Sequence, residues 1–256
     1  MKITRTLSGF AALLLLPPLL MACTPSRSAA PESAAPASAA GESDISPVVL
    51  LGDSISVGLS APLTEAFAAS GNRFRSLASD GGGNVTGPFS EKVWEQLPAQ
   101  LTEAEPGLVV YQITSYDWGT EAEQREAYRR LVDLVASLGA RLVFVTPPPL
   151  RADDFYEPHL DELQRTAAVA ADVADASDGV ARLLDAVDVW GQEYQQERDG
   201  VADRSSDGVH VCPQGAARYT VWLLDEIASE HSDFTPAPVE EWANTGWSSD
   251  EGFRGC

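Results

Sequence analysis

The stretch Val48-Val49-Leu50-Leu51-Gly52-Asp53-Ser54-Ile55-Ser56 joins four consecutive apolar residues to a glycine, an acid and a serine. Such a short unbroken apolar run reads as a strand buried on both faces. Beyond it, Ile55, Leu59, Leu63 and Phe67 recur on one face of a helix. Ser54 therefore stands where a strand turns into a helix, and its hydroxyl is displayed at the helix start.

Outward from this unit the same alternation repeats. Residues 47–51, 74–78, 108–113, 142–146 and 180–184 read as strands, with amphipathic stretches between them. Tyr128, Leu131, Val135 and Leu138 make one apolar helical face; Leu160, Leu163 and Ala167 make a second, and Tyr219, Trp222, Leu223 and Ile227 a third. Strand alternating with helix predicts an α/β domain whose parallel sheet is covered on both sides. Function then belongs at the carboxyl ends of the strands. Gly52-Asp53-Ser54, Asp80-Gly81-Gly82-Gly83-Asn84 and Thr114-Ser115-Tyr116-Asp117-Trp118 follow the first three strands as this rule requires.

A serine hydroxyl is a poor nucleophile until an imidazole removes its proton, and the imidazole needs an acid to fix its tautomer. The histidines are His159, His210 and His231. His210 lies three residues after Asp207, in Asp207-Gly208-Val209-His210, a spacing that lets an acid in the same loop accept a hydrogen bond from the imidazole. Ser54, His210 and Asp207 are the candidate nucleophile, base and orienting acid; Asp53 is read as bracing the turn, and His159 and His231 as surface residues.

The strand-Gly-Asp-Ser opening with a late Asp-x-x-His resembles the GDSL-type or SGNH hydrolases, a family of serine esterases, lipases, acyl-hydrolases and some acyltransferases. The resemblance implies a flavodoxin-like, three-layer α/β/α fold with a five-stranded parallel sheet in the order 2-1-3-4-5. It also implies an oxyanion hole built from the backbone N–H groups of Ser54 and of Gly81, since Ser76-Leu77-Ala78-Ser79-Asp80-Gly81 resembles the family's second block. The third block departs from the pattern Gly-x-Asn-Asp. Here Thr114-Ser115-Tyr116-Asp117 is aligned with it, so Tyr116 takes the place of the asparagine donor. Losing one such donor costs roughly 10²–10³ in rate. The phenol, Thr114, Ser115 and Gln112 are the candidate substitutes. Thr146-Pro147-Pro148-Pro149 is expected to wall the cleft, and Trp118, Phe155 and Tyr156 to offer an apolar or sugar-stacking surface.

No cofactor and no metal site are expected, because cysteines are few and Asp153, Asp154, Glu157 and His159 read as a solvated loop. A phosphotransfer reading of Asp53 would want Mg²⁺ and further strand-end acids. A non-catalytic binding module on the same scaffold is the competing reading that the missing asparagine favours.

Lys2 and Arg5, the apolar run 10–20 and Leu20-Met21-Ala22-Cys23 read as an export signal ending in a sequence that resembles a bacterial lipobox. The expected organisation is a signal peptide at 1–22, a linker anchored by lipidated Cys23 over 23–46, a hydrolase domain at 47–232 and a tail packed on it at 233–256. The linker is Ala, Ser, Pro, Gly and Glu with almost no large apolar residue. An exported, oxidising setting leaves Cys212 and Cys256 as an expected disulfide. A net charge of −21 argues against nucleic acid as a partner. The expected partner is a small-molecule, lipid or glycan ester, with membrane contact only through the anchor, and the chain is expected to be a monomer, either anchored facing outward or secreted.

Overall fold

Val48–Leu51 is buried along its whole length because it is an interior strand, β1, hydrogen-bonded on both sides. This arrangement belongs to a computed structural model that describes residues 43–253, 255 and 256. The expected signal peptide, Cys23 and the linker up to residue 42 lie outside the described residues. β1 pairs in parallel with β2 (Phe74–Ser76) on one side and β3 (Leu108–Gln112) on the other, and β4 (Arg141–Val145) and β5 (Ala181–Leu184) extend the sheet. The order β2-β1-β3-β4-β5 is the one the resemblance implied.

β1 and most of β3 look uniformly apolar in sequence, yet the side chains of the sheet divide cleanly by parity, as a pleat demands. Val48, Leu50, Val110, Val143 and Val145 face one core, with α1 (Ser54–Ala69), the short α5 (Val187–Trp190) and α6 (Pro213–Glu230) over them. Val49, Leu51, Val109, Tyr111 and Phe144 face the other, under α2 (Ser90–Ala104), α3 (Glu121–Ser137) and α4 (Leu160–Asp175). The result is the three-layer α/β/α fold. Local signals place the helices: Thr120 and Glu123 form a reciprocal capping box at the start of α3, satisfying donors the first turn leaves open.

Two expectations need correcting. In α4 the residues in the core against the sheet are Val169, Ala170, Val173 and Ala174, whereas Leu160 and Ala167 are only half-buried and line a cavity with Leu163. The alanine-rich sequence allows several apolar faces, and packing chooses among them. Ordered packing also begins before Pro47: Ile45 is 2% exposed within the first core, and the Ser43 hydroxyl donates to Asn72 Oδ1 at 2.5 Å.

The tail packs on the first core through Phe234 and Trp242, the latter at the end of the short α7 (Val239–Trp242). Cys212 and Cys256 form the expected disulfide, with Cα atoms 5.7 Å apart. Next to it, Ser206 N–H donates to the Gly255 carbonyl at 2.9 Å, so the tail rests on the loop that carries His210. Two short antiparallel strands absent from the sequence reading, β6 (Glu197–Arg198) and β7 (Val201–Ala202), precede that loop.

The bond closes a separation of 44 residues. Removing it by paired Cys212→Ser and Cys256→Ser substitution is expected to lower the unfolding free energy by about 3–5 kcal/mol on the chain-entropy account. Urea denaturation of the two proteins side by side checks this, and an unchanged midpoint would contradict it.

Candidate active site

At the end of β1 the chain turns so tightly that only glycine fits. Gly52 has φ +150°, and a Cβ there would lie 2.1 Å from Ser56 Oγ. Asp53 then caps α1, its Oδ1 accepting from Ile55 N–H at 3.0 Å. Its Oδ2 accepts from both the N–H and the hydroxyl of Ser115, each at 2.8 Å. Full burial pushes the Asp53 carboxyl up from its ordinary range, against the pull of the Ser115 and Ile55 hydrogen bonds. Asp53 thus braces the turn, as its position suggested, and also fastens it to the loop after β3.

Ser54, the first residue of α1, is thereby presented at the helix N-terminus. Its hydroxyl lies 2.8 Å from His210 Nε2, and His210 Nδ1 lies 2.7 Å from Asp207 Oδ2. The other oxygen of Asp207 accepts from the N–H groups of Val209 and His210 at 2.8 and 3.0 Å. Partial burial works against ionisation of Asp207, but the Val209 and His210 hydrogen bonds outweigh it and hold the carboxyl down to about 2. The three residues separated in sequence meet as a serine, an imidazole and an anionic acid.

The histidine loop is held from behind by Arg204, which gave no signal in the sequence. Its buried guanidinium donates to the carbonyls of His210 (3.2 Å), Pro149 (2.9 Å) and Val209, and lies over the rings of Trp190 and Tyr194. Burial lowers its pKa to about 10. An arginine three residues before an acid matches no motif; only the fold turns it inward.

Of the expected oxyanion donors, Ser54 is the first residue of α1. Gly81 sits exposed in an open turn, and the glycine packed against the serine turn is Gly83: a Cβ there would fall 2.0 Å from the Gly52 carbonyl oxygen. Tyr116 is turned into an aromatic group, its ring centroid 5.8 Å from those of Phe89 and Trp118 and 6.2 Å from that of Phe155. Phe89 and Phe155 are 56% and 52% exposed. Two candidate substitutes are already committed, since Ser115 serves Asp53 and the Gln112 amide donates to the Thr146 carbonyl at 2.8 Å.

Below the loop, Asp117 accepts from the hydroxyls of Tyr111 (2.7 Å) and Tyr128 (3.2 Å). Tyr156, from the loop before α4, brings its hydroxyl to 3.4 Å from Ser115 Oγ. The Thr146–Pro149 loop lines a cavity of about 880 Å³ together with Ser115, Leu160, Ala167 and Trp190. The other two histidines are not free surface residues. His159 stacks on Trp118 at 3.9 Å and meets Glu162 at 3.3 Å, while His231 is buried.

The model of the family described as "SGNH domain (fused to AT3 domains)" matches residues 22–213, a span that contains Ser54, Asp207 and His210. The chain belongs to the SGNH family. No curated protein matches it significantly. Among solved structures it resembles a lipase/acylhydrolase from Enterococcus faecalis, at 21% identity and TM-score 0.52 over 75% of this chain and 98% of that one. It also resembles a GDSL-like lipase from Bacteroides thetaiotaomicron, at 14% identity and TM-score 0.53 over 71% and 87%. A mutant acetyl-xylooligosaccharide esterase from Geobacillus follows at 15% identity and TM-score 0.51 over 70% and 93%. At these identities the likeness carries the fold. Family membership implies a hydrolase of the esterase type.

Burial raises the Asp117 carboxyl to about 7, opposed by the Tyr111 hydrogen bond. Unfolded, the group titrates near 3.8, so between about 4 and 7 the folded SGNH domain holds a proton that the unfolded chain lacks. Stability then falls as pH rises through that window. Chemical denaturation at pH 5 and pH 8 is expected to show the loss, and Asp117→Asn to shrink the difference; an equal slope in the variant would contradict the assignment.

Proposed function

We propose that this chain is an envelope-anchored serine esterase that cleaves acyl or O-acetyl esters through an acyl-enzyme on Ser54. The observation that carries the reading is the continuous contact from Ser54 Oγ through His210 to Asp207, at 2.8 and 2.7 Å. His210 Nε2 takes the Ser54 proton as Oγ attacks the ester carbonyl, then returns it to the departing alcohol oxygen. Water, deprotonated by the same nitrogen, releases the acid and restores the serine. Asp207, held anionic, keeps the Nδ1 proton in place and stabilises the imidazolium at each stage. The Ser54 N–H at the positive end of α1, with the glycine loop over 81–83, faces the developing oxyanion. Tyr116 is the third, altered position.

The disulfide supports an oxidising compartment, in keeping with export and lipidation at Cys23. A transferase on an envelope glycan uses the same residues with a sugar hydroxyl in place of water. The half-exposed rings of Phe89 and Phe155 beside Tyr116 and Trp118 favour it as the second reading, because a sugar face stacks on such rings.

A fluorophosphonate is expected to modify Ser54, located by peptide mass spectrometry; modification elsewhere only would overturn the proposal. Ser54→Ala and His210→Ala are each expected to abolish p-nitrophenyl acetate turnover, and the double variant to be no slower than either, since the two act as a unit. With Tyr116 limiting the oxyanion site, Tyr116→Asn should raise kcat. A loss of roughly 10²–10³ in Tyr116→Phe would instead make the phenol itself the donor.

A further inference from the structure

At the amino-terminal end of the sheet, away from Ser54, the chain brings together three ligand-type side chains that the esterase chemistry does not use. Asp44 precedes β1, and His231 and Asp233 follow α6. One donor atom from each lies within 4.8 Å of the others. The acids alone would be an ordinary surface pair. The imidazole between them is not ordinary: His231 is 5% exposed, set between two exposed acids. Its Nδ1 faces Asp44 Oδ1 at 3.6 Å, too far for a hydrogen bond.

That spacing suits a shared ion. Nitrogen and oxygen ligands about 2.0–2.2 Å from a tetrahedral zinc stand roughly 3.4 Å apart. Asp233 is held for the purpose, its Oδ2 accepting from Asp44 N–H at 2.7 Å, across 189 residues of sequence. Arg141 meets the far oxygen of Asp44, Oδ2, at 3.9 Å and leaves Oδ1 to the histidine.

We propose that Asp44, His231 and Asp233 form a divalent-metal site of the zinc type, completed by water, which pins the start of the domain to the end of α6. His231 and Asp233 stand two residues apart, but Asp44 comes from before the first strand, and only the fold brings it to them, which is why sequence alone pointed to no metal.

The test is titration of the full chain, stripped with EDTA in detergent, with ZnCl₂ by calorimetry. One saturable equivalent is expected, with a rise in thermal midpoint, and Co²⁺ in its place should give the visible absorption of a nitrogen-ligated ion. His231→Gln and Asp44→Asn should each weaken Zn²⁺ by more than the roughly 10–100-fold typical of losing an outer-shell partner, and Ser54→Ala should leave it unchanged. Asp44 is exposed, so its variant folds even if the histidine variant does not. Absence of saturable binding, parental affinity in Asp44→Asn, or binding of Ca²⁺ in preference to Zn²⁺ would each overturn the proposal.

Discussion

A single buried carboxylate holds the catalytic end of this domain together. Asp53 has no solvent to stabilise its charge, so it must be met by donors, and it takes them from two directions: Ile55 in its own helix and Ser115 from the loop after β3. The first contact sets where α1 begins and therefore where the Ser54 hydroxyl points. The second locks the β1 turn to the neighbouring strand's loop. Gly52 supplies the conformation that lets Asp53 turn inward at all. Were that acid lost, Ser115 would lose the acceptor for both its donors, and the serine would hang on an uncapped helix.

The opposite wall of the site is built by a cation. Arg204 gathers the carbonyls of Pro149, Val209 and His210 on one guanidinium, which fixes the backbone beside the imidazole while Asp207 fixes its ring. An acid at the nucleophile and an arginine behind the base thus do complementary work. Neither need react; both convert flexible loops at strand ends into parts of the packed core.

The layered fold was legible because a central parallel strand must be apolar on both faces, and runs such as Val48–Leu51 and Leu108–Gln112 have few other uses. The Ser54, Asp207 and His210 grouping was legible for a chemical reason, since a serine at the end of a buried strand needs a base, and the Asp-x-x-His loop offers an imidazole with its orienting acid at hand. Long-range choices were not. Whether α4 turned Ala167 or Ala170 to the sheet depended on packing that its alanine-rich sequence leaves open. Which glycine of 81–83 touched the serine turn depended on how β2 exits toward Gly52. His231 looked like a surface residue because Asp44 and Asp233, the groups around it, come from both ends of the domain.

The disulfide between Cys212 and Cys256 has a consequence for timing. Cys212 lies two residues beyond the base, yet its partner comes 44 residues later, after α6 and the tail. During synthesis the histidine loop emerges with Arg204 to hold it but without its covalent tie, which waits both for the downstream chain and for an oxidant. Maturation of the site is thereby ordered: the nucleophile turn is complete as soon as β1 and β3 pair, whereas the base is secured last.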